Sequence, residues 1–291
     1  MSSVPLGKDG EVIAGRFELK APARDVGLTE PWTATDRVSG RGALVKLVSA
    51  RTANREPWGA VGARVQLLGN PRLPKFIAAG ADTDRLWIAY EPVQGRSLAD
   101  WIDGHLEAKT APGLGVVTRI FDAVASAAQV GHGRGRDPVV HRAISPRSIL
   151  LDAFAGGHHV VLLDHELAPF VDAYETWNYR APEQVEGKGD VTPAADVFAL
   201  AVVLVQLLTL RATPQEASRE TWAELVTRTP KGVKSLLQGL RGDISEAFWE
   251  AIVAALQASP AKRLSPSGAA GAPSFWNDVS APFHIAVAWV M

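Results

Sequence analysis

Three side chains in this sequence could do phosphate chemistry: Lys46, Asp164 and Glu166. A lysine ammonium can hold an anionic oxygen, and a carboxylate can hold Mg2+. Asp164 alone is a weak metal site, because one carboxylate rarely suffices for Mg2+ without substrate phosphates. Glu166 is close enough in the chain to supply a second carboxylate. Lys46 on a strand also reads, in isolation, as a solvated surface lysine. The seven histidines show no metal-ligand spacing, and His158-His159 reads as a solvated loop pair. Cysteine is absent, which excludes disulfides and thiolate metal sites.

The elements that must position these groups follow from pattern and punctuation. Arg16 to Leu19, Pro31 to Asp36, Gly42 to Val48, Lys75 to Ala81 and Arg85 to Glu91 are short and apolar, with turn residues between them, and read as strands. A helix over Pro57 to Leu68 is weakened by Gly59 and Gly62. From Ser97, a plausible N-cap, the pattern turns helical. Val116, Val117, Ile120, Phe121, Val124, Ala127 and Ala128 repeat at helical spacing. A strand-loop-strand piece runs from Val139 to Leu163. Further helices are expected after Ala194 and near Thr221 to Val226, Val233 to Leu240 and Glu246 to Leu256. Strands followed by helices make an α+β pattern.

The order of several short motifs resembles the serine/threonine protein kinases. His141-Arg142-Ala143-Ile144-Ser145-Pro146-Arg147-Ser148 resembles the catalytic loop H-R-D-L-x-x-x-N, and Asp164-His165-Glu166 stands where a kinase carries D-F-G. Ala43-Leu44-Val45-Lys46 resembles V-A-I-K, and Ala181-Pro182-Glu183 matches A-P-E. Asp196 heads the apolar helix, and Arg263 stands where the family pairs an arginine with the A-P-E glutamate. The resemblance implies a bilobal protein kinase-like fold, with a small N-terminal antiparallel sheet lobe and a larger helical C-terminal lobe. The expected divisions are an N-terminal extension over 1–13, a sheet lobe over 14–93, a helical lobe over 94–276 and an apolar tail over 277–291. It also implies that His141, Arg142, Glu183, Asp196 and Arg263 are structural.

The departures from the family bear on function. The catalytic-loop Asp that accepts the substrate hydroxyl proton is Ala143 here, which has no basic atom. The loop lysine is Ser145, and the metal-binding Asn is Ser148, a shorter and poorer ligand. Asp164 survives, but His165 and Glu166 replace the neighbouring Phe and Gly. The glycine positions of the phosphate-covering loop fall at Arg24, Val26 and Thr29, with Pro31 in place of the valine. Only Gly27 is available nearby, so side chains obstruct the backbone N–H groups that would close on a triphosphate. Glu30 adds like charge. Leu44 stands where a small alanine lies against the adenine ring. The glutamate partner of Lys46 falls near Val61, with Glu56 the nearest acid upstream. Lys46 is left either as an orphan or as a partner for Asp164. The segment from Asp164 to Ala181 is short and carries Tyr174 and Thr176. Thr176 fits the family's substrate-groove threonine, so control by phosphorylation there is not expected.

The expectation is therefore a pseudokinase, a protein-binding scaffold or allosteric regulator with no catalytic residue and weak or absent binding of ATP and Mg2+. Lys46 and Asp164 would be vestigial cofactor ligands. The expected partner is a protein, such as an active kinase or another enzyme. The alternative that the resemblance leaves open is an atypical ATP-dependent phosphotransferase or nucleotidyltransferase using Lys46, Asp164 and Glu166.

Composition narrows the partners further. Thirty Lys+Arg against thirty-one Asp+Glu give a net charge of −1, which offers no footprint for nucleic acid or an anionic membrane. The longest apolar run, Val197 to Leu210, is too short to span a bilayer. The first residues carry Lys8 and Asp9 and no apolar run, so no secretion signal is expected. With the missing cysteine this points to a cytoplasmic protein, and Ala, Gly, Arg and Trp usage fits a high-GC bacterial genome. The last residues, Phe283–Met291, carry no charged side chain. They are expected either to fold back on their own lobe or to dock on a partner.

Overall fold

The structure is a computed structural model that describes residues 6–23, 30–49, 70–82, 84–132, 138–152, 159–165, 177–187, 190–210, 242 and 244–263. The chain divides into two compact units, Met1–Asp100 with Arg147–Tyr174, and Trp101–Pro146 with Glu175–Met291.

The first unit holds both sheets. Strands β1 (Val12–Ile13), β2 (Phe17–Pro22), β3 (Glu30–Asp36), β4 (Gly42–Ser49), β5 (Phe76–Ala81) and β6 (Arg85–Tyr90) form an antiparallel sheet in the order β1-β2-β3-β4-β6-β5. Successive side chains on a strand point to opposite faces. Ala43, Val45 and Leu47 of β4 therefore share one face, where they meet Phe17, Leu19, Trp32, Ala34, Trp87 and Ala89 in a single core. Leu44, Lys46 and Val48 take the other face and are buried as well. Burial on both sides is why this central strand reads as a nearly continuous apolar run. Lys46 is the exception in that run.

The N-terminal segment is part of this unit. Leu6 packs against the core, and β1 pairs with β2 through Val12 opposite Glu18. A Cβ on Gly7 would sit 2.8 Å from Leu19 and Leu47 and 2.9 Å from the Trp32 indole nitrogen, so only glycine lets the chain lie this close. The Arg85 guanidinium ties the segment down by donating to the Leu6 carbonyl and, at 2.7 Å, to Glu11. The Glu11 carboxyl is held below its ordinary range by that hydrogen bond. Deleting residues 1–13 removes the buried Ile13, worth about 2–3 kcal/mol. The truncated chain is expected to melt roughly 7 °C lower, as differential scanning calorimetry would show; an unchanged melting temperature would mean that the segment is dispensable.

The second sheet comprises β7 (Arg96–Ser97), β8 (Ile149–Asp152) and β9 (His159–Leu162), in that order. Leu150, Val161 and Leu163 form its small core, with Val93 against it. The Leu162 N–H donates to the Arg72 carbonyl at 2.9 Å, which joins β9 to the chain entering β5.

Five helices are described: α1 (Leu98–Glu107), α2 (Leu114–His132), α3 (Pro182–Glu186), α4 (Pro193–Thr209) and α5 (Glu246–Ala255). Ser97 caps α1 as expected. Its Oγ accepts from the Asp100 N–H at 3.0 Å, and the Asp100 carboxylate accepts in return from the Ser97 hydroxyl at 2.7 Å. In α2 the buried Val117, Ile120, Phe121, Val124, Ala127 and Ala128 make the expected stripe, while Val116, also expected on it, is half-buried at its edge. Near its end the Val139 N–H donates to the Gly131 carbonyl at 3.0 Å, and a Cβ on Gly131 would lie 2.3 Å from the Val139 oxygen. Helix α4 starts at Pro193, where a missing N–H costs nothing, and is buried on nearly every side. It is the core of the second unit. Ser245 caps α5 by accepting from the Phe248 N–H.

Strands β1 and β7 were not expected from sequence, since two residues carry no periodicity. Several expectations lie outside the described residues: the helices over 57–68, 221–226 and 233–240, the loop positions Arg24, Val26, Gly27 and Thr29, Glu56, Val61, Glu166, Tyr174, Thr176 and the tail Phe283–Met291. Among the described residues no helix is long and apolar enough to cross a membrane.

Candidate functional site

In the first unit, Lys46 enters from the middle of β4 and Asp164 follows the end of β9. The Lys46 Nζ donates to Asp164 Oδ1, and both side chains are fully buried. Of the two alternatives open in the sequence, the structure has the pair. Register explains the rest of the lysine's surroundings. Leu44 stands opposite Tyr90 and Lys46 opposite Ile88, so Tyr90 shares the face of Lys46. The ammonium lies 5.7 Å from the Tyr90 ring centroid, within cation–π range. Leu44 is also buried, on the face where the family keeps a small residue.

Asp164 has a left-handed backbone, φ 73°, a conformation that aspartate tolerates better than most residues. The preceding Leu163 N–H donates to the Ser148 carbonyl at 2.8 Å, which ties the approach to Asp164 to the start of β8. Ser148 and His165 are both buried. Among the described residues no group of three or more His, Asp or Glu side chains could hold a metal ion.

In the second unit the loop that resembles a catalytic loop is organised by Asp196 at the head of α4. One carboxylate oxygen accepts from the Arg142 N–H at 2.7 Å, and the other from the His141 N–H at 2.8 Å and His132 Nε2 at 2.7 Å. Burial pushes the Asp196 carboxyl up. The hydrogen bond from His132, with that from the His141 N–H, outweighs it and holds the group below its ordinary range. His141 is fully buried, and its Nδ1 accepts from the Ala143 N–H at 3.2 Å. Arg142 adopts the left-handed φ of 63°. Ala143 and Ser145 are each 2% exposed. The backbone of this loop is thus fixed in detail while the side chain at position 143 ends at a methyl group.

Glu183 and Arg263 form a bidentate pair at 2.6 and 2.7 Å. The same guanidinium donates to the carbonyls of Gln257, Ala258 and Ala194, so all five of its N–H groups are used. It also lies 5.1 Å from the Phe198 ring centroid.

Sequence reasoning missed two contributors. His132 meets Asp196 across 64 positions of chain, and nothing local marks a histidine at the end of an apolar helix as its partner. Gln184 donates to the Arg142 carbonyl at 3.0 Å while its Oε1 accepts from the Ala181 N–H at 3.1 Å, linking α3 to the loop. Its place three residues after a helix-start position was the available signal.

Comparison with known proteins bears on the family and the fold. A model of the protein kinase domain matches residues 35–275. Serine/threonine-protein kinase PrkC of Bacillus subtilis is 27% identical over 219 residues, covering 69% of this chain and 32% of that protein. Serine/threonine-protein kinase PkaB of Streptomyces coelicolor is 28% identical over 225 residues, covering 70% and 49%. The match thus spans from about a third to a half of these two relatives. The kinase domain of PknI from Mycobacterium tuberculosis superposes with a TM-score of 0.70 at 21% identity, covering 95% of this chain and 99% of that one, which shows the fold.

Proposed function

The chain belongs to the protein kinase domain family, and from that premise we propose that it is a pseudokinase: a kinase fold that acts by binding a protein partner rather than by transferring phosphate. The observation that carries this is Ala143. The surrounding loop is held by Asp196, His141 and Arg142, yet the position that must accept the substrate proton offers only a methyl group. Phosphoryl transfer depends on positioning and charge stabilisation, so loss of the base, together with the Asn-to-Ser change at Ser148, removes definable parts of the machine. The relatives carry the names of kinases; the proposal concerns what these positions do in this chain. The binding role would be that of a scaffold or allosteric regulator, with an active kinase or another enzyme as the partner and a cytoplasmic setting.

Two measurements test it. Purified protein incubated with radiolabelled ATP and Mg2+ is expected to label neither itself nor a generic protein substrate. Transfer that disappears in a Lys46→Ala variant would overturn the reading. Mg-ATP in the millimolar range is expected to leave the melting temperature unchanged. A ligand at 100 times its Kd would add about 2.7 kcal/mol, which is readily seen.

The retention of both Lys46 and Asp164 favours a second reading, an atypical ATP-dependent transferase that would also draw on Glu166. A clear upward shift with Mg-ATP would move the balance to it.

A further inference from the structure

We propose that Lys46 and Asp164 persist in this chain as a structural cross-link between the two sheets of the first unit. The proposal rests on the pseudokinase reading, because it assigns a use to the two groups that reading leaves idle. Lys46 sits on β4, the central strand of the large sheet, and Asp164 immediately follows the last strand of the small one. The ion pair between them is fully buried on both sides. Either charge alone would be costly in such a place, whereas each offsets the other. The Tyr90 ring adds a second favourable contact for the ammonium.

The surrounding backbone is arranged to present the aspartate. The Leu163 N–H to Ser148 carbonyl bond anchors the residue before it, and the left-handed turn at Asp164 follows directly. The Leu162 N–H to Arg72 carbonyl bond is a main-chain tie from β9 to the chain entering the large sheet, and the ion pair is its side-chain counterpart. A metal-bound nucleotide would have to draw the ammonium to phosphate and the carboxylate to metal. Nucleotide binding and this cross-link are therefore alternatives for the same two groups.

A double-mutant cycle on the full chain tests the proposal. Lys46→Met and Asp164→Leu each remove one half of the buried ion pair, and each is expected to lower the melting temperature by about 10 °C. The double variant is expected to lose no more than the worse single variant, since either change already breaks the same cross-link. A double loss equal to the sum of the two would overturn the proposal. A second measurement covers the case in which the variants do not fold. In the wild-type chain the Lys46 ammonium, assigned by its absence from the Lys46→Arg spectrum, is expected to give a slowly exchanging NMR signal. Exchange as fast as that of a solvated lysine would overturn the proposal. The Mg-ATP melting shift reports separately on the pseudokinase reading. An upward shift beside a coupled cycle would leave the cross-link standing in the nucleotide-free chain and move the balance to the transferase reading, and an additive cycle without a shift would overturn the cross-link and leave the pseudokinase reading in place.

Discussion

Replacing Asp196 with alanine is expected to cost about 4 kcal/mol and to lower the melting temperature by about 10 °C. The carboxylate is fully buried and gathers three donors: the N–H groups of His141 and Arg142 and the Nε2 of His132. Alanine would leave all three facing a cavity without an acceptor. Because two of the donors are main-chain groups of the loop, the damage would spread to residues 141–143. Asp196→Asn separates shape from charge, since it fills the space but presents an NH2 group toward one donor. The acid dependence follows from the depressed carboxyl. A carboxyl whose folded pKa lies below its unfolded value of about 4 stabilises the fold fully above that value. The contribution fades as pH falls from there through the folded pKa. Wild-type protein should therefore lose stability more steeply than Asp196→Asn as pH is lowered past about 4. Urea melts across that range would show it, and parallel slopes would count against the account.

Arg263→Ala is the second large effect, again about 3–5 kcal/mol. Its guanidinium is engaged by the Glu183 carboxylate and three carbonyls, and its removal would strand Glu183, itself mostly buried. Arg263→Lys should rescue little. A single ammonium cannot reproduce a planar fork that reaches one carboxylate and three carbonyls at once. The double variant Glu183→Gln with Arg263→Ala should melt higher than Arg263→Ala alone, because the stranded charge has gone. If Lys restored full stability, the fork geometry would not be what matters.

How legible these features were depended on how local they are. Strands β2 to β6 stood out because turn residues punctuate them and because β4, buried on both faces, reads as a run of apolar residues around Lys46. Helices α2 and α4 were legible from their apolar spacing and length. Glu183 and Arg263 were matched through motif order, since 80 positions of chain separate them and neither is unusual in its own surroundings. His132 escaped for the same reason, without a motif to compensate. The Lys46–Asp164 pair was one of two open alternatives. Deciding it required the register of β4 on β6 and the left-handed turn at Asp164, and both arise only when distant segments meet. Residues 6–13 read as an extension because Val12–Ile13 is too short to show a pattern, and the hold of Arg85 on Leu6 and Glu11 comes from far along the chain.

The contact of Gly131 with Val139 has a use in protein engineering. It fastens the end of α2 to the stretch that enters the loop at His141, and the His132–Asp196 bond fastens that same helix end to α4. The chain is therefore moored on both flanks of residues 133–137, and the closure entropy of a longer connection grows only slowly with its length. A reporter peptide, an affinity tag or a new pair of termini introduced there would hang between two fixed points. Such a graft would carry a fluorophore or a capture handle with which the proposal of a protein partner can be tested.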